Sequence, residues 1–219
     1  MFNIFKITKK KKITLPNRNL NDIKNVCKVL FIDDIKFETA DRLKKEDGWK
    51  NTQRIKDVSS LDQTEIIEAH IIFVDVQGVG KKLFPGEEGL GLIRALKKKY
   101  PEKKIIMYSA ESKGKIDAFH DSIKMVDSIL KKNSDHYEFQ STLERLANET
   151  FSLSNCIERI KNTLYDQYGL SYTTTEIEEK LSNIEDGKNF ESSISKIFKL
   201  ENAKYIIDIV KLFIEVNNG

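Results

Sequence analysis

The chain has 219 residues, of which 39% are hydrophobic and 32% charged, the balance of a soluble globular protein rather than a disordered one. It contains no run of 18 apolar residues, which argues against a spanning helix, and Met1 to Lys12 lack the apolar stretch and small-residue cleavage site of a secretory signal. Two cysteines, Cys27 and Cys156, with three histidines are too few for a disulfide framework or an ordinary zinc site, so a reducing cytoplasm is the expected compartment.

The net charge of +3 is unevenly spread: +7 over residues 1–28, −1 over 29–149 and −3 over 150–219. A nucleic-acid-binding domain carries a basic face within its fold, so nucleic acid is not an expected partner. The basic excess belongs to an N-terminal arm, residues 1–27. There Lys9 to Lys12 form a lysine run, and Pro16 with Asn17, Asn19 and Asn21 supplies turn chemistry. The arm reads as a mobile or loosely docked tail. Phe2, Ile4, Phe5 and Ile7 beside the lysines would allow the arm a weak contact with an anionic membrane or nucleic acid, at about 1 kcal/mol per lysine near an anionic surface.

From Lys28 the pattern alternates between short apolar runs and helical stripes. Lys28–Ile32 predicts a buried strand that ends in two acids, and Phe37–Glu46 a helix. Gln53–Val58 predicts a weaker strand, and Ile66–Ala69 lies in a helical stretch. Ile71–Val74 predicts a strand ending in Asp75. Leu90, Ile93, Leu96 and Tyr100 form a helix stripe closed by Pro101. Ile105–Tyr108 is a strand ending in Ser109, Ile116–Ile123 a helix, and Ser128–Leu130 a last strand ending at Lys131 and Lys132. Five strands alternating with helices predict an α/β fold, a doubly wound five-stranded parallel sheet over residues 28–149.

After Asn133 the alternation stops. Phe139, Leu143, Leu146, Thr150, Leu153, Ile157, Ile160 and Leu164 form a heptad stripe without Gly or Pro. The stripe predicts one long helix, continuous from the α/β domain to about Tyr168, where Gly169 supplies a stop; its length would be roughly 50 Å. Shorter helices follow near Thr175, at Phe190–Phe198 and at Ala203–Val216, which makes residues 150–219 a small all-α module. The stripe has two uses: packing on its own C-terminal helices, or pairing with a second copy.

In an open parallel sheet, ligands bind outside the carboxyl ends of the strands. This chain places Asp33 and Asp34 at the end of the first strand, Asp75 at the third, Ser109 at the fourth and Lys132 at the fifth. Three carboxylates converging without counter-charge repel one another, and a hard divalent cation such as Mg²⁺ with oxygen ligands resolves the repulsion. A lysine and a hydroxyl opposite them suit a phosphoryl group. Lys131 is an alternative to Lys132; the spacing to Asn133 and Ser134 favours Lys132.

The segments Val29–Asp34, Phe73-Val74-Asp75, Met107-Tyr108-Ser109-Ala110 and Ile129-Leu130-Lys131-Lys132, with Pro85–Leu90, resemble the receiver domain of two-component response regulators, a flavodoxin-like fold, over residues 28–149. The resemblance implies that Asp75 accepts a phosphoryl group from a histidine kinase or small phosphodonor. It implies that Asp33, Asp34, Asp75 and the backbone carbonyl of Gln77 hold Mg²⁺. Lys132 would pair with phosphoryl oxygens, and Ser109 would bond the phosphoryl group and shift with it. The chain departs from the pattern in three places. The loop Val76–Phe84 is enlarged by about six residues, Asn133 stands where the family has proline, and Ile129 stands where the family has its aromatic switch residue.

The leading expectation is a phosphorylation-dependent signalling receiver, not an enzyme beyond its own phosphorylation and dephosphorylation. Its C-terminal helices would make a homodimer or bind a protein. A pseudo-receiver, used as a structural adaptor without phosphorylation, is the alternative. A DNA-binding regulator ranks below both, because the acidic residues 150–219 offer no evident recognition helix. A doubly wound hydrolase would need a nucleophile elbow or a phosphate loop, and Gly78-Val79-Gly80 lacks the third glycine and the helix that must follow.

Overall fold

The computed structural model describes residues 18–110, 120–184 and 190–214. Its elements run α1 (Leu20–Val26), β1 (Val29–Ile32), α2 (Glu38–Lys45), β2 (Thr52–Ile55), α3 (Thr64–Glu68), β3 (Ile71–Asp75), α4 (Glu88–Lys99), β4 (Lys104–Ser109), α5 (His120–Met125) and β5 (Ser128–Lys131). Then come α6 (His136–Thr150), α7 (Leu153–Tyr168), α8 (Thr174–Ser182), α9 (Phe190–Phe198) and α10 (Lys204–Ile214). By its contacts the chain divides into two units, one of residues 19–150 and one containing the helices from Phe151 onward.

The first unit is a five-stranded, all-parallel sheet in the order β2-β1-β3-β4-β5. This is the flavodoxin-like, doubly wound arrangement, with its topological switch point between β1 and β3. Strand alternation gives the sheet two unlike faces. Leu30, Ile32, Ile72, Val74, Ile105 and Met107 form an aliphatic face that packs on Ile66 of α3 and on Leu92, Ile93 and Leu96 of α4. Phe31, Phe73 and Tyr108 form an aromatic face, against Phe37 and against Phe139 of α6. Phe31 and Phe73 stack at 4.2 Å, and Phe37 and Tyr108 at 5.1 Å. Asp33 and Asp75 continue the aromatic side of this alternation, two residues beyond Phe31 and Phe73.

Some expectations are corrected, and others fall outside the described residues. Residues 1–17 of the expected arm, including the lysine run and the apolar residues proposed for membrane contact, lie outside the described residues. The arm does not extend to residue 27, because Leu20–Val26 is a helix. Asn19 caps it by accepting the Asp22 N–H at 3.0 Å, Ile23 and Cys27 are buried, and Lys24 pairs with Glu144 of α6 at 3.0 Å. The weak strand is Thr52–Ile55 rather than Gln53–Val58, an edge strand with half its residues partly exposed. Of the expected helix Ile116–Ile123, the part from His120 is described and belongs to α5.

The expected long helix is two helices. α6 ends at Thr150, whose hydroxyl donates back to the Leu146 carbonyl at 2.7 Å. Ser152 then takes an extended conformation and accepts the Asn155 N–H at 3.2 Å, a new N-cap. The heptad spacing survives the break, because both helices bury the striped face. α7 buries Cys156, Ile157, Ile160 and Leu164 against Ile177 and Leu181 of α8, Ile194 and Phe198 of α9, and Ile206 and Val210 of α10. α7 ends at Gly169, left-handed at φ 65°, as its position predicts. Thr173 and Glu176 form a reciprocal capping box that starts α8.

Both cysteines are free and buried. Burial pushes the Cys156 thiol up to about 12, against the pull of Arg159 and Arg18, and raises the Cys27 thiol further still. Among the described residues no helix is long and apolar enough to cross a membrane.

Candidate functional site

The site residues are set at the sheet rim by ladder bonds that run one step past the strand ends. The Asp33 N–H donates to the Ile55 carbonyl at 3.1 Å, the Val76 N–H to Tyr108 at 3.0 Å, and the Lys132 N–H to Ser109 at 2.8 Å. Ile32 is in register with Val74, Asp75 with Tyr108, and Ser109 with Lys131. The register therefore brings Asp33 and Asp75 to the switch point between β1 and β3, where this fold binds ligands.

Asp33, Asp34 and Asp75 each place one carboxylate oxygen within 4.8 Å of the others. Asp33 and Asp75 are 0% and 3% exposed, while Asp34 faces solvent. The Lys132 ammonium bridges the two buried acids, 2.6 Å from Asp75 Oδ2 and 3.0 Å from Asp33 Oδ2. Lys131, the other candidate, is exposed and points to no site residue among its described bonds. Ser109 is buried at the end of β4. The Gln77 side chain is exposed, and its backbone N–H donates to Asp75 Oδ1 at 3.3 Å.

The charges are poised against one another. Burial raises the Asp75 carboxyl above the ordinary range; the bonds from Lys132 and Gln77 pull it down, and the neighbouring Asp33 adds to the rise. Burial works against the Lys132 ammonium, but its bonds to Asp75 and Asp33 outweigh this and leave its pKa raised. One ammonium thus serves two of the three carboxylates.

The sequence reading missed two contributors. Tyr108 is buried, and its hydroxyl donates to Asp33 Oδ2 at 2.8 Å. Burial, and then the Asp33 charge, push the phenol far above its usual pKa, so it remains a donor. The signal was available: residues 31, 33, 73, 75, 106 and 108 fall on one face by strand alternation, which sets a phenol beside the acids. Arg54 donates to the carbonyls of Asp33 at 2.6 Å and Ile35 at 3.2 Å, holding the turn after β1. Nothing local in the edge strand Thr52–Ile55 marks that role.

The donor set fits a hard divalent cation. It is all oxygen, it lies within one coordination sphere's reach, and its two buried acids share one ammonium, leaving negative charge for a cation to offset.

No family model matches the chain, and no curated protein matches it. Solved structures similar to it are response-regulator receiver domains. One is a response regulator from Thermotoga maritima, with 21% identity over 56% of this chain and 98% of that one, and a TM-score of 0.43. Another is a CheY-like receiver domain protein from Methanospirillum hungatei JF-1, with 14% identity over 57% and 96%, and a TM-score of 0.45. A third is the Thermotoga maritima response regulator TrrA in complex with Mg²⁺-BeF, with 20% identity over 55% and 98%, and a TM-score of 0.40. The receiver-like fold of this chain itself rests on its own strand order and register, a five-stranded parallel sheet in the order 2-1-3-4-5.

Proposed function

We propose that residues 28–149, with α1, work as a phosphorylation-dependent signalling receiver in which Asp75 is the phospho-acceptor. The observation that carries this reading is the Lys132 ammonium joining buried Asp75 and Asp33 at the switch point, with the Asp34 carboxylate within 4.8 Å of both. An Asp75 carboxylate oxygen forms a bond to phosphorus. The P–N bond of a histidine kinase's phosphohistidine, or the P–O bond of a small acyl phosphate, breaks, and its electron pair leaves with the donor. Lys132 lies beside the accepting oxygen and pairs with the phosphoryl oxygens as charge moves onto them. Ser109, at the end of β4, would bond the phosphoryl group. Asp33, Asp34, Asp75 and the Gln77 carbonyl would hold Mg²⁺, which when bound neutralises phosphoryl charge.

Residues 150–219 serve as a helical output module for a second copy or another protein. Its contacts must use surfaces other than Ile157, Ile160 and Leu164, which are consumed in its own core. The exposed side chains of Tyr165 and Tyr205 are candidates for such contacts.

The test is incubation of the full chain with Mg²⁺ and acetyl phosphate, followed by intact-mass measurement. The wild type gains one acid-stable, base-labile phosphoryl group and Asp75→Asn gains none. Equal labelling of the two proteins refutes the assignment. A pseudo-receiver, working as an adaptor without phosphorylation, is favoured by Ile129, an exposed residue within β5 that carries no aromatic ring. Calorimetric titration showing no Mg²⁺ binding would support that second reading over the first.

A further inference from the structure

The enlarged loop 76–84 is a docked structure. Val79 is fully buried in the aliphatic core, and the Leu83 and Phe84 N–H groups both donate to the Gly80 carbonyl. Two carboxylates pin its near side. The Gly78 N–H donates to Glu88 Oε2 at 2.8 Å, and the Gly80 N–H to Asp57 Oδ1 at 2.5 Å. These bonds and the buried Val79 fix where the loop's backbone lies.

That backbone stands against Asp34. Gly78 has φ +85°, and a Cβ there would lie 2.4 Å from Asp34 Oδ2, 2.5 Å from Cγ and 2.6 Å from Oδ1. Carbon contacts begin to repel well outside such distances, since their optimum is about 3.5–4.0 Å. Among the described residues, no hydrogen bond or ion pair holds the Asp34 carboxylate, in contrast to those of Asp33 and Asp75. The loop's backbone is therefore what sets the position of this carboxylate on one side.

We propose that Gly78 is a positioning residue for cation binding: the loop 76–84 holds the Asp34 carboxylate within reach of Asp33 and Asp75, and only a residue without a side chain leaves it room. This rests on the cation-binding reading above. The carboxylate in a Gly78→Ala protein would have to leave the position it now holds, and the site would lose the present placement of one of its three acidic ligands.

The experiment is calorimetric titration of Mg²⁺ into the full chain, paired with thermal melting in the absence of divalent cations. Gly86→Ala is the control, because Gly86 has φ +83° with nothing within 4 Å of its would-be Cβ. It carries the same backbone strain without touching the site. Gly78→Ala weakens Mg²⁺ binding by about tenfold or more, the usual effect of disturbing a ligand's support. Gly86→Ala leaves the affinity within about twofold. Both lower the cation-free melting temperature by similar amounts. Glu88→Ala, which unpins Gly78 without adding an atom near Asp34, weakens Mg²⁺ binding by about threefold or more. That variant decides the matter alone if Gly78→Ala does not fold. Equal affinities in Gly78→Ala and Gly86→Ala, or an unchanged affinity in Glu88→Ala, overturn the inference. A wild type that binds no Mg²⁺ overturns instead the reading beneath it.

Discussion

Replacing Lys132 by methionine keeps most of the apolar stem and removes the charge that joins Asp33 and Asp75. Removing one partner of a fully buried ion pair costs about 3–5 kcal/mol, because the remaining charge stays desolvated. The Lys132 side chain is 23% exposed, while the side chains of Asp33 and Asp75 are 0% and 4% exposed, so the loss should lie near the lower limit, about 3 kcal/mol. A unit of about 130 residues has an unfolding entropy of roughly 0.28 kcal/mol/K, which converts that loss into a fall in Tm of about 10 °C. Thermal melts followed by circular dichroism, in chelator at neutral pH, measure it. The deficit narrows as pH falls. The Asp75 carboxyl is already pushed up by burial, so the form favoured by folding is the protonated one, and stability is lost as pH rises through its folded pKa. Mg²⁺ at about a hundredfold over its Kd would return about 2.7 kcal/mol. The variant should gain more from a given Mg²⁺ concentration than the wild type, because the cation no longer competes with an ammonium. A Lys132→Met protein that melts in chelator at or above the wild-type temperature would refute this electrostatic account.

Tyr108→Phe preserves the ring contacts with Phe37 and Phe139 but deprives Asp33 of a donor; hydrogen bonds to charged groups contribute about 1.5–3 kcal/mol, and urea denaturation showing a loss below about 0.5 kcal/mol would contradict this role. Ile160→Ala opens a void in the core of the C-terminal helices and should cost about 2–5 kcal/mol; native-state hydrogen exchange over α7 checks it, and unchanged protection would show that this core is not tightly packed. Glu176, held low by bonds from the Thr173 N–H and hydroxyl, stabilises α8 above its unfolded pKa, so this support fades as pH falls through the depressed folded value. Helix content followed from about pH 5 to pH 3 should fall less steeply in Glu176→Gln, and identical curves would exclude the capping box as the cause.

Much of the site was legible because a parallel sheet makes strand ends converge. Apolar runs of strand length located β1, β3, β4 and β5, and the first polar residue after each run lies at the ligand-binding rim whatever the details of packing. That reasoning reached Asp33, Asp34, Asp75 and Ser109, and the spacing to Asn133 chose Lys132, the lysine whose Nζ lies 2.6 Å from Asp75. α1 was hidden because seven residues with one fully buried apolar side chain carry almost no periodic signal. Its N-cap pair, Asn19 and Asp22, was the cue that asparagine-rich turn chemistry masked.

Residue order alone therefore determined the class of fold and which side chains the rim would receive, since strand length, alternation and the polar residue after each strand are local properties. Tertiary structure decided what those side chains meet. A heptad stripe reads the same along one helix or two, and only the end of α6 at Thr150, the N-cap at Ser152 and the core of α7–α10 divide it. Likewise Arg54 on the β1 turn and Gly78 against Asp34 join residues 21 and 44 positions apart. Such pairings follow from strand order and loop docking, which no local pattern encodes.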